Sequence, residues 1–208
     1  MKRVTILALI TSLFISAIAV ANEVNIFNAR HYKADAELYS KFTNMTGIKV
    51  NLINGKSGAL EKRIIEEGSD SKADLYITAD AGRLGAFDSK GMLQSGLGTK
   101  EIKSAVPSNL RTSKWVGIAK RARIVYFAPE RVMGSELAGL TYESLADPKW
   151  RGRLVIRASN NIYNQSLVAS LVKNNGKAAA AEWSKGMVSN MARAPKGNDR
   201  AQILAVAA

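Results

Sequence analysis

Apolar and polar residues alternate around Val24 and Ile26, a period of two that predicts a short strand ending near Asn28. Beyond it the period changes. Ala34, Leu38, Phe42 and Met45 recur at intervals of four and three, the stripe of an amphipathic helix, and Gly47 stands where such a helix takes a left-handed C-terminal cap. Ile48, Val50 and Leu52 return to alternation and predict a second strand. Gly55-Lys56-Ser57-Gly58 opens a second helix that carries Leu60 and Ile64 and stops near Gly68. Residues 74–78 read as a third, buried strand, and residues 82–90 as a short helix before Gly91. Strand and helix alternate throughout, which is the signature of an open parallel α/β sheet.

The middle of the chain reads differently. Residues 115–127 form one extended stretch broken by Lys120, Arg121 and Arg123, longer than an ordinary strand. They are expected to leave one lobe and enter another. Thr141 then starts a short helix, Asp147-Pro148-Lys149-Trp150 makes a turn, and residues 154–156 form a strand. Further helices are predicted over 162–172, over 177–191 and from Asp199 onward. The expectation is a two-lobed α/β protein, with a first lobe over residues 22–122 and a second over 123–208. The second lobe has too few strands to close its own sheet. Ala201, Ile203, Leu204 and Val206 run to Ala208 without a stop signal, so the sequence reads as the front part of a longer protein.

The N-terminus adds a destination. Lys2 and Arg3 precede an almost wholly apolar run over residues 4–20, and Ala19-Val20-Ala21 fits the small-x-small rule for signal peptidase. Residues 1–21 are therefore read as a cleaved export signal, with cleavage after Ala21 and Asn22 as the mature first residue. No later run is long and apolar enough to predict a membrane span. The chain has no cysteine, which excludes disulfides, thiolate metal sites and a lipid-anchored cysteine, and points to a bacterial periplasm. Without Lys2 and Arg3 the formal charge of +13 falls to about +11. The basic residues are scattered, without a long run or aromatic interleaving, so a solvated basic surface is expected and nucleic acid is not.

Candidate chemistry gathers at two places. His31 is the single histidine, flanked by Arg30 and Tyr32 just after the first strand, where open α/β sheets bind ligands. The second place is Ser159-Asn160-Asn161-Ile162-Tyr163-Asn164-Gln165-Ser166, a strand-to-helix junction after Arg157. Free N–H groups at such a junction favour an anion, and Ser or Asn caps the helix. Tyr163 falls in the first turn, where the helix dipole favours a phenolate. A hydrolase using His31 as base and Ser159 or Ser166 as nucleophile lacks the context of a nucleophile elbow. No P-loop, dinucleotide fingerprint or calcium loop is present.

Several segments resemble the periplasmic ferric-iron-binding proteins, the solute-binding components of iron ABC transporters with a two-lobed, transferrin-like fold. They are Asn28-Ala29-Arg30-His31-Tyr32, residues 42–52 (FTNMTGIKVNL), 73–84 (ADLYITADAGRL), 118–125 (IAKRARIV), 145–150 (LADPKW), 157–171 (RASNNIYNQSLVASL) and 197–208. They recur in order along essentially the whole of the chain after the export signal. The resemblance implies His31 and Tyr32 as ferric ligands from the first lobe and Tyr163 as a ligand from the second. Two consecutive tyrosines that complete the family's site are absent from this sequence. It further implies ferric ion as cargo, a carbonate-like anion in the site, an inner-membrane ABC permease as partner, a monomer, and no enzymatic activity.

Ferric ion favours hard anionic oxygen donors. A tyrosine ionises near pH 10 in isolation, and an adjacent trivalent cation favours its charged form. Arg30 and Arg157 are expected beside the site, steadying phenolates or holding the anion, and Lys120, Arg121 and Arg123 lie near the lobe crossover. The alternative is a small anion or organic ligand held by Arg30, Arg157 and the helix start at Asn161, since one fold serves many ligands.

Overall fold

The computed structural model describes residues 22–30 and 32–208. The export segment expected over residues 1–21 and the candidate ligand His31 lie outside the described residues. The chain divides between Ala79 and Asp80 into two compact units.

The first unit is a three-stranded parallel sheet in the order β2-β1-β3, built from β1 (Glu23–Asn28), β2 (Lys49–Asn54) and β3 (Leu75–Ile77). β1 is central because both partners bond to it, with Ile26 opposite Leu52 on one side and Leu75 on the other. Its buried end, Ile26, Phe27 and Asn28, anchors the unit. α1 (Ala34–Thr46) ends on Gly47, whose φ of 72° is the left-handed cap and whose N–H bonds the Thr43 carbonyl. α2 (Ser57–Glu67) buries Leu60 and Ile64, one turn apart on the face toward β1, and ends on Gly68.

Two expectations are corrected here. β3 is half exposed rather than buried, Leu75 retaining 45% of its accessible surface, because an edge strand has a neighbour on one side only. The helical stripe of α1 forms as expected, yet Leu38, Phe42 and Met45 stay exposed. Periodicity sets which residues share a face; burial needs an element packed on that face.

The second unit is helical. α3 (Ala81–Ser89) begins at Asp80, whose carboxylate accepts the Gly82 N–H, and α4 (Lys100–Ala105) begins at Thr99, which caps Ile102. α5 (Ile162–Ser189) is interrupted at Gly176, whose φ of 84° and ψ of 163° leave the helical region, so two helices meet there, matching the two predicted. α6 (Asp199–Ala207) is capped by the Asn198 side chain on the Ala201 N–H. The core gathers Leu145, Leu171, Ala180, Trp183 and Met187, with Leu154, Ile156 and Leu167 packed against them. Trp183 also donates its indole N–H to the Tyr142 carbonyl at 2.6 Å. Asn190 is fully buried; its amide donates to the carbonyls of Leu145 and Asp147 at 2.9 and 2.7 Å.

The extended stretches of this unit do not become strands. Val116 makes one antiparallel bridge with Arg111, and Leu154 one parallel bridge with Met191. Elsewhere residues 117–128 and 155–157 have no ladder partner among the described residues. The helix expected from Thr141 is a 3₁₀ turn, Glu143–Ala146, and the predicted turn is a second one, Pro148–Trp150, capped by Asp147.

Candidate functional site

The first cluster grows out of the end of β1. Asn28 is only 5% exposed, and its side chain folds the chain over: Oδ1 accepts the Arg30 N–H at 3.0 Å while Nδ2 donates to the Arg30 carbonyl at 3.1 Å. The same Nδ2 donates to Asn54 Oδ1 at 2.8 Å, tying the turn to the end of β2. This turn puts Arg30 and Tyr32 at the carboxyl end of the central strand, the ligand-binding edge of open parallel sheets.

Arg30 forms a two-pronged ion pair with Asp35, Nε to Oδ2 at 2.8 Å and Nη2 to Oδ1 at 3.0 Å. Asp35 lies in the first turn of α1, where the helix end also favours an anion. The hydrogen bond from Arg30 holds the Asp35 carboxyl below the usual carboxylate range, and the same bond raises Arg30. The Arg30 guanidinium also stands 4.9 Å from the centre of the Tyr32 ring. Tyr32 itself is 45% exposed.

The second cluster is built on the start of α5. Asn161 is the N-cap, its Oδ1 accepting the Tyr163 N–H at 2.9 Å. Buried Asn164 donates from Nδ2 to the carbonyls of Arg157 and Ala158, at 2.7 and 3.3 Å, which locks the approach of the chain to the helix. Ser166 donates its hydroxyl to Asp80 at 2.9 Å, joining this turn to the start of α3. Tyr163 is thereby fixed at the second helical position.

Three arginines surround Tyr163. Arg121 donates from Nη1 to the phenol oxygen at 3.0 Å, and its guanidinium carbon stands 4.6 Å from the ring centre. Arg157 stands 5.5 Å from the same ring centre and pairs with Asp199 at 2.9 Å. Arg123 bonds Asn164 Oδ1 at 3.3 Å and the Tyr163 carbonyl. The arrangement gives a phenol oxygen a cationic donor and gives any negative charge on it close compensation.

The residues expected in the site thus fall into two groups, Arg30 with Tyr32 and Arg157 with Asn161 and Tyr163. The two arginines expected beside the site are both ion-paired, to Asp35 and Asp199. The cation on the phenol oxygen is Arg121, which the sequence places only near the lobe crossover. A signal for it exists: Arg121 and Arg123 are two apart in a stretch of extended periodicity, and such residues share a side. Among the described residues no three His, Cys, Asp or Glu side chains gather as a metal cluster. Among the same residues no helix is long and apolar enough to cross a membrane.

Comparison with known proteins places this geometry in a lineage. The chain is similar to iron uptake protein A1 of Synechocystis, 50% identical over 186 residues that make up 88% of this chain and 51% of that protein. It is also similar to the Fe(3+)-binding periplasmic protein of Serratia marcescens, at 30% identity over 83% of this chain and 50% of that protein. Among solved structures it resembles the Trichodesmium protein IdiA (FutA) in complex with iron and citrate ligands. That match has a TM-score of 0.82 and 48% identity, over 88% of this chain and 58% of that one. The ferric binding protein from Campylobacter jejuni gives a TM-score of 0.81 and 39% identity, over 88% and 58%. The chain spans about half the length of the curated relatives it matches. Its fold is the α/β, two-lobed architecture of these solute-binding proteins. The sequence profile described as bacterial extracellular solute-binding protein matches residues 70–205, and the chain belongs to that family.

Proposed function

We propose that this protein is a periplasmic carrier of ferric iron, binding the ion through phenolate and imidazole donors and delivering it to an inner-membrane ABC permease. The donors are Tyr163, Tyr32 and His31. The observation that carries the reading is the setting of Tyr163, a helix-start tyrosine whose oxygen already accepts a guanidinium N–H and whose ring is flanked by a second guanidinium. A hard trivalent cation stabilises phenolate oxygen, and fixed cations around the ring offset the anionic charge that the donors bring. The names of the relatives, iron uptake and ferric iron-binding proteins, support the same cargo.

The remaining parts of the proposal follow from the same reading. A carbonate-like or carboxylate anion completes the coordination, near Arg30, Arg157 and the helix start at Asn161, and the citrate named with the Trichodesmium protein supports an anion of that kind. Residues 1–21 direct export and are removed after Ala21. The first lobe extends over residues 22–122 and the second over 123–208, and the carrier works as a monomer. It captures and releases its cargo without turning it over, so it is a binding protein rather than an enzyme.

Titration of the purified protein with ferric nitrilotriacetate, followed by visible absorption, tests this. A phenolate-to-ferric charge-transfer band is expected in the parent, and Tyr163→Phe is expected to weaken it. Protection against thermal unfolding by phosphate or citrate alone, with no coloured ferric complex, would instead favour a small-anion carrier.

A further inference from the structure

The three arginines around Tyr163 do different things, and the difference separates their roles. Arg157 faces the ring and is held by Asp199. Arg123 bonds the backbone carbonyl of Tyr163 and the side chain of Asn164. Of the three, Arg121 places an N–H on the phenol oxygen, at 3.0 Å.

A phenol oxygen carries two acceptor lone pairs, and ionisation adds a third. One pair can therefore bond a metal while another still accepts the Arg121 N–H. The guanidinium also lies against the ring it bonds, 4.6 Å from its centre, so the two contacts hold one geometry. Arg121 is itself exposed, and truncating it removes little packing.

We infer that Arg121 is the positioning residue of the Tyr163 donor: it stays on the phenolate oxygen when iron is bound, aims it, and draws electron density from it. The inference rests on Tyr163 being a ferric ligand. A hydrogen bond to phenolate oxygen lowers the energy of the filled orbital from which the charge-transfer transition starts. With the bond in place the transition needs more energy; without it, less.

The test is the position of that band in three forms of the protein titrated with ferric nitrilotriacetate: the parent, Arg121→Met and Arg121→Lys. Arg121→Met is expected to move the band to longer wavelength. Arg121→Lys, which keeps the charge and one donor but loses the planar fork, is expected to lie between it and the parent. Circular dichroism melting of each variant confirms that folded proteins are being compared. A band in Arg121→Met that coincides with the parent's overturns the inference while leaving the ferric reading intact. A parent without any band overturns the ferric reading, and this inference with it.

Discussion

Gly186 lies inside α5 against the turn that carries Ala146, and replacing it with alanine sets two effects against each other. An alanine in a helix interior is worth about 1 kcal/mol over glycine. A Cβ built at Gly186, however, lies 2.7 Å from both the Cβ and the carbonyl oxygen of Ala146, and 3.1 Å from its Cα. Those atoms belong to backbone and to the shortest of side chains, so nothing can swing aside. The helix and the Glu143–Ala146 turn must separate, and they carry the contact between Leu145 and the Trp183 side of the core. Overpacking costs about 1–3 kcal/mol, and with backbone in the way the upper part of that range, about 2–3 kcal/mol, applies. Against the propensity gain, Gly186→Ala should destabilise the protein by about 1–2 kcal/mol net and lower the Tm by on the order of 5 °C. Gly85→Ala, inside α3 with nothing within 4 Å of the added carbon, should instead raise stability by about 0.5–1 kcal/mol. Urea unfolding of the two variants beside the parent reads both signs. A Gly186→Ala protein as stable as the parent would refute the claim that this close approach limits the core.

Three further outcomes are expected. Asn190→Ala removes the donor to the Leu145 and Asp147 carbonyls; Asp147 keeps the Trp150 N–H, so the loss should be about 1–3 kcal/mol in denaturant unfolding. Asn190→Asp, which sets a carboxylate against the same carbonyls, should cost more. Asp35, lowered by its Arg30 bond, contributes stability present above the unfolded carboxylate pKa near 3.8 and lost as the pH falls through its lower folded value. Asp35→Asn should therefore flatten the acid side of the pH–stability curve. Tyr76, donating to Glu61 at 2.6 Å, is pushed up to about 12 first by burial and then by that bond. Its stabilisation is present below pH 10 and lost as the pH rises toward about 12, so Tyr76→Phe should unfold over a shallower alkaline range by circular dichroism.

What the sequence reveals of this molecule divides by distance along the chain. Gly47 and Gly68 mark helix ends correctly because a cap bonds residues two to four positions away. Asn161 caps α5 for the same reason, and the place of Tyr163 in the first turn follows from that cap two residues upstream. Residues 154–156 carry strand-like composition, but a strand exists only through a partner, and Leu154 finds a single bridge to Met191. The stripe of Leu38, Phe42 and Met45 is visible in the sequence, while its exposure is not, since exposure depends on what packs there. The Arg121–Tyr163 bond spans 42 positions, and no local rule selects that arginine from its neighbours.

The interruption of α5 at Gly176 has a consequence for phase. Leu171 and Ala180 both enter the same core cluster, yet they are nine residues apart, about two and a half turns of a continuous α-helix. In an unbroken rod they would point in opposite directions. The non-helical step at Gly176 breaks that rod, and Ala180, Trp183 and Met187 enter the cluster that Leu171 already lines. An unbroken helix through Gly176 would keep that half-turn offset and carry one half of the buried face into water.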